Sequence, residues 1–433
     1  MKYYSLNYNS QDISFLDAVR KGLAPDRGLY FPKKIPKLPK TFFNNINSIS
    51  NQEIAFKVIQ PYVGNDIPEN RLKKIVEDTL NFEFPIVPIS DSVATLELFQ
   101  GPTLAFKDVG ARFMARCLAY ANINNKDEKL TVLVATSGDT GGAVADGFYK
   151  VKGVDVVILY PKGKVSEIQE KQLTTLGENI TAIEVDGAFD DCQDMVKSAF
   201  IDQDLIQSMS LTSANSINIA RWLSQMFYYF IAYKNRIHPN KKLAISVPSG
   251  NFGNICAGLV SQQMGLPIDQ LIASTNINNT VPSYLNSGVY SPKKSKSTIS
   301  NAMDVGDPSN FIRIQKLFNN DIFKLKKILK GYYYTDSQTK KAIKEIYKIS
   351  GYTADPHGAV GYLGLKEFLK NSKEAYQGLF LETAHPIKFV DIVERTLKTS
   401  VEVPERIKHV LNREKSSIPI HSYEQLKTFL LKH

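Results

Sequence analysis

A chain of 433 residues is too long for one ordinary hydrophobic core, so two or three domains are expected. Hydrophobic residues at 43% and charged residues at 22% are normal for a soluble globular protein, and no apolar run approaches the ~20 residues of a membrane helix. The formal charge of +10 comes from lysines scattered along the chain. Without a single basic face or an aromatic motif it weighs against nucleic acid as a partner and suits anionic metabolites.

The three cysteines, Cys117, Cys192 and Cys256, lie far apart, which argues against a disulfide framework and a zinc site. No two histidines stand three to five residues apart, so no transition metal is expected. Residues 1–7 lack the apolar stretch of a signal peptide, and the expected location is cytoplasmic, with no membrane partner.

Residues 1–93 read as a first unit. A short helix over 14–21 closes at Gly22, a turn and strand span 23–32, and a proline-rich link covers 34–40. Two helical patterns end near Phe82. From 94 to 233 strands and helices alternate: a buried strand at 131–135, then a helix with Val144, Phe148 and Val151 on one face. Strands at 154–160 and 180–185 follow, and a long helix over 216–233 closes the unit. The third unit, 234–433, has a strand at 243–247, a helix over 255–264 and a mobile polar loop over 284–300. Helices run on to about 347, and a last strand covers 377–381. Alternation of this kind implies an α/β architecture of parallel strands covered by helices.

Four stretches carry chemistry. Lys107, in Phe106-Lys107-Asp108, opens a helix whose buried face is Val109, Phe113 and Cys117. A helix start disfavours positive charge, which suits a lysine that must lose its proton to form an imine with an aldehyde. Gly250, Asn251, Phe252, Gly253 and Asn254 link a buried strand to a helix, where free amides and close-fitting glycines favour a phosphate; a ligand-free tight turn is the alternative. Ser137, Gly138, Asp139, Thr140 and Gly141 form a second turn of this kind, fit for a carboxylate or phosphate or else a plain helix cap. Thr383 ends a buried strand, where α/β proteins place ligand contacts.

These four pieces, in this order, resemble the pyridoxal-phosphate enzymes of the tryptophan-synthase-β fold, fold type II, and within them the threonine synthase family. Stretches 22–32, 213–218, 300–305, 355–361 and 383–386 extend the likeness over nearly the whole chain. The resemblance implies two α/β domains with open, mostly parallel sheets plus an N-terminal domain. It implies pyridoxal 5'-phosphate as cofactor, held as a Schiff base on Lys107, with its phosphate on residues 250–254 and its ring nitrogen at Thr383. The 137–141 loop would bind the substrate carboxylate, and Asp139 stands where many relatives carry asparagine. The implied reaction turns O-phospho-L-homoserine and water into threonine and phosphate, in a monomer or homodimer. Arg112, Lys162 and Lys164 are candidate partners of the substrate phosphate. The rival readings are a serine or threonine dehydratase, a non-catalytic binding relative and, third, a basic nucleic-acid binder. A hinge between the 107–233 half and the rest is also expected.

Overall fold

A computed structural model of the chain describes residues 1–122 and 129–432. In chain order its strands are β1 (Tyr3–Ser5), β2 (Tyr30–Pro32), β3 (Ile86–Pro88), β4 (Val93–Glu97), β5 (Leu130–Ala135), β6 (Val154–Pro161) and β7 (Ile180–Val185). They continue as β8 (Ser210–Ser213), β9 (Lys242–Pro248), β10 (Gln270–Thr275), β11 (Leu329–Tyr333), β12 (Tyr376–Glu382) and β13 (Ile418–Ile420). One sheet has the order β11-β10-β9-β12-β4-β3 and is parallel except for β3. The second, β13-β7-β6-β5-β8, is parallel throughout, and β1 and β2 form an antiparallel pair. Among the described residues no helix is long and apolar enough to cross a membrane.

The central strands read as unbroken apolar runs because helices cover both faces. Every residue of β5 and of β10 is buried, and β9 and β12 are buried beyond their first residue. This two-sheet frame brings the carboxyl ends of β5, β6, β9 and β12 to one cavity, whose walls include Ala135, Pro161, Pro248 and Thr383.

Sheet membership departs from the expected ranges at both ends. β4, expected to open the 94–233 unit, instead hydrogen-bonds along its length to β12. β13, from the far carboxyl end, adds to β7 of the other sheet. The first ninety residues share their core with the rest. Phe31 stacks on Trp222 at 6.0 Å, Asn218 donates to the Val19 carbonyl at 2.8 Å, and buried Arg313 donates to the Tyr30 carbonyl at 3.1 Å.

Local elements differ in four places. The helix expected over 216–233 is two helices, Ile219–Leu223 and Met226–Lys234. Between them Ser224 Oγ takes the Ala220 carbonyl and Gln225 Nε2 the Arg221 carbonyl, so side chains stand in for the broken backbone ladder. Val151 lies beyond the helix Asp139–Phe148, which stops as Tyr149 turns extended. β11 interrupts the run of expected helices. The stretch expected as a mobile loop begins inside the helix Thr280–Ser287, and its remainder is tied down. Lys296 N donates to Asn278 Oδ1 at 2.7 Å and Thr298 N to Asp304 Oδ2 at 3.0 Å.

Candidate active site

Lys107 is the first residue of the helix Lys107–Asn122. Asp108, fully buried, accepts from Thr103 N at 2.9 Å and from the Thr103 hydroxyl, closing the turn that delivers the lysine. Burial, then the nearby Asp146, pushes the Asp108 carboxyl up to about 7 against the opposing bonds from Thr103. The turn joins the end of β12 through two backbone bonds, Phe106 N to the Thr383 carbonyl at 2.9 Å and His385 N to the Leu104 carbonyl at 3.1 Å. Lys107 and Thr383 are thereby set side by side on adjoining strands of backbone. Leu104 holds a left-handed φ of 60° in this turn, a strain its complete burial sustains.

The cavity measures about 510 Å³ and includes Lys107, Ser137, Thr140, Gly250, Asn251, Phe252, Gly253, Asn254 and Thr383 in its walls. Burial leads the forces on Lys107; Asp139 draws it upward, Arg221 and Lys388 push it down, and the amine settles at about 8. A neutral, nucleophilic amine is therefore accessible near physiological pH.

The glycine loop has the chemistry of an anion site. The helix Gly253–Gln263 starts after Phe252, itself at φ 61°, and no side chain caps its first amides. Tyr228 and Tyr229 both donate to Asn254 Oδ1 at 2.7 Å. That fixes the amide, and its Nδ2 is left buried with no acceptor among the described residues. Arg221 Nε and Asn215 Oδ1, on the same cavity, are likewise buried without partners. Three residues of the cavity wall thus each keep a buried polar atom without a partner among the described residues, and a polar ligand at this wall would suit them.

The Ser137–Gly141 turn is built differently from a plain cap. Thr136 Oγ1 accepts from Gly138 N at 3.0 Å and Gly141 N at 2.8 Å, leaving the Ser137 and Thr140 side chains on the cavity wall. Gly138, at φ 144°, packs against Gln169, where a Cβ would come within 2.6 Å of the amide. Gly138 and Asp139 are off the cavity wall. Asp139 turns back into the protein, accepting from Lys388 Nζ at 2.7 Å and Gln169 Nε2 at 2.9 Å. Burial opposes its charge, but Lys388 and Lys107 outweigh burial and hold its carboxyl at about 2.

Two expected phosphate partners are displaced. Arg112 lies five residues along the helix from Lys107, about 140° around its axis, and does not reach the cavity. It donates instead to the Asp78 carbonyl at 2.7 Å and lies 3.6 Å from Asp146. Lys162 points outward beside Glu184 at 3.7 Å. Lys164 does line the cavity, and its ammonium has no ion-pair partner among the described residues. Lys388, Arg221 and Asn215 escaped the sequence reading. Asn215 lies within the 213–218 stretch singled out there, whereas no local pattern marks Lys388.

The cavity brings together a partly buried lysine, an uncapped helix start at a glycine loop and a strand-end hydroxyl. A family profile described as "Pyridoxal-phosphate dependent enzyme" matches residues 90–378, and the chain belongs to that class. Profiles described as "Threonine synthase N terminus" and "Threonine synthase, C-terminal" match residues 2–80 and 358–430. Threonine synthase of Buchnera aphidicola (subspecies Acyrthosiphon pisum) is 44% identical over 100% of both chains. The crystal structure of threonine synthase from Escherichia coli superposes with a TM-score of 0.93 at 40% identity, covering 100% of each chain. The pyridoxal-phosphate-bound threonine synthase of Brucella melitensis gives 0.94 at 33% identity, covering 100% of this chain and 99% of that one. The chain belongs to the threonine synthase family.

Proposed function

We propose that this enzyme converts O-phospho-L-homoserine and water to L-threonine and inorganic phosphate, using Lys107 as its central amine. In the balance of atoms, the Cγ–O bond to phosphate breaks and a water oxygen joins Cβ. Cγ gains a proton as Cβ loses one. Bound pyridoxal phosphate supplies an electron sink for negative charge developing at the substrate's Cα. Lys107 would hold the cofactor's aldehyde carbon, the uncapped amides and Asn254 Nδ2 its phosphate, and the Thr383 hydroxyl its ring nitrogen. That hydroxyl makes no hydrogen bond among the described residues. The unpartnered amide of Asn254 is the observation that carries the cofactor's placement.

The remaining tasks fall to the chain. The Lys107 amine, neutral in a useful fraction, takes a proton from Cα when it is free. Ser137 and Thr140, at the start of the helix Asp139–Phe148, receive the substrate carboxylate. Lys164, at the mouth of the cavity, meets the leaving phosphate. Two threonine-synthase profiles at the chain's ends support this reaction over that of a dehydratase.

Incubating the purified holoenzyme with O-phospho-L-homoserine tests the reading. Threonine and phosphate are expected in equal amounts, with 2-oxobutyrate a minor product at most. Phosphate accompanied by 2-oxobutyrate in place of threonine would overturn it.

A further inference from the structure

Lys388 sits in the short turn of helix Pro386–Phe389, directly after the strand end that carries Thr383. Its ammonium is fully buried and, among the described residues, makes one ion pair, the 2.7 Å bond to Asp139 Oδ1. Asp139 is the first residue of the helix Asp139–Phe148, at the back of the turn that offers Ser137 and Thr140 to the cavity. An isolated carboxylate there would be costly to bury and would draw on the other cation whose charge already acts on it, Lys107.

We infer that Lys388 is a positioning residue that occupies Asp139, so that Lys107 remains outside an ion pair and the 137–141 turn can accept an anion. The inference rests on the assignment of Lys107 above and adds a residue to it. Charged groups facing Lys107 are Asp139, Arg221 and Lys388; those facing Asp139 are Lys388 and Lys107, with Gln169 as a neutral donor. Removing Lys388 deletes a repulsion on Lys107 and leaves it the full attraction of Asp139. Both changes retain the proton. Removing the Asp139 charge acts in the opposite sense, since Lys388 then repels Lys107 without compensation.

The experiment measures how fast the cofactor-free protein captures pyridoxal phosphate, by absorbance, as a function of pH. Capture requires the neutral amine, so the midpoint of the profile reports Lys107 directly. Lys388→Met is expected to move the midpoint up by at least one pH unit, and Asp139→Asn to move it down. The Asp139→Asn/Lys388→Met pair is expected to fall between them, near the wild-type protein. The KM for O-phospho-L-homoserine should rise several-fold in Lys388→Met and recover in the double variant, a rescue that a merely structural role would not give. Identical midpoints in all three variants would overturn the inference. If Lys388→Met fails to fold, an unshifted midpoint in Asp139→Asn does so alone. Lys107→Met separates the two readings: if it captures cofactor like the wild type, the assignment of Lys107 itself has failed.

Discussion

Replacing Lys107 with methionine is expected to cut turnover by about 10³-fold or more and, at the same time, to stabilise the cofactor-free protein near pH 7. The first effect follows from losing both the attachment point and the base. The second follows from the environment of the amine. Burial dominates, and it brings the amine from 10.5 to about 8 in the folded chain. Well below pH 8 the amine is mostly charged whether the chain is folded or not, and folding must take that charge out of water. Between about 8 and 10.5 the unfolded chain binds more protons than the folded one, so stability rises with pH across that window. The penalty near pH 7 is on the order of 3 kcal/mol, and methionine removes it. Chemical unfolding at pH 7, 9 and 10.5 should show the variant's advantage shrinking as pH rises. A variant less stable than the wild type at pH 7 would contradict this account.

Gly250→Ala is expected to weaken cofactor binding at least tenfold. Its Cβ would stand 2.7 Å from the Ala302 carbonyl oxygen and 2.9 Å from Met303 Cα, both backbone atoms. That backbone cannot easily retreat. Ala302 N is bonded to His357 Nε2 at 3.2 Å, and the following Asp304 accepts from Asn276 Nδ2 at 2.8 Å and the Thr298 hydroxyl at 2.7 Å. Overpacking of this kind costs about 1–3 kcal/mol, and the glycine loop would shift to relieve it. Titrating pyridoxal phosphate into the variant measures the loss; affinity equal to the wild type would show that the loop adapts.

Much of this architecture could be read before any coordinates. Buried parallel strands such as β5 announce themselves as unbroken apolar runs, and glycines mark where two of them turn into helices at the cavity. What escaped lies in contacts between distant parts of the chain. Nothing around Lys388 distinguishes it from the chain's other lysines until folding seats it against Asp139. The break at Ser224 and Gln225 was hidden because the helix after it, Met226–Lys234, is buried on nearly all sides and shows no periodic face. β13 is three residues long, and only its register with β7 defines it as a strand. Arg112 has the charge a phosphate needs, but helical phase turns it from the Lys107 side toward the Asp78 carbonyl, a direction that residue type alone does not show.

The position of β12 between β9 and β4 also sets a timetable for biosynthesis. A ribosome delivers β4 and β9 well before it delivers residues 376–382, and until then each presents an open edge to the cell. The large sheet is joined only when this late strand slides between two waiting neighbours, a long-range pairing that is intrinsically slow. Thr383 and Lys388 emerge immediately behind it, so the step that completes the sheet also completes the cavity. Ribosome-bound chains halted after residue 375 should therefore be protease-sensitive and unable to take up cofactor, whereas fully extruded chains should resist digestion and bind it. Equal protection in both would remove the timetable. For a nascent chain of this topology, the interval before β12 arrives is when chaperones matter most.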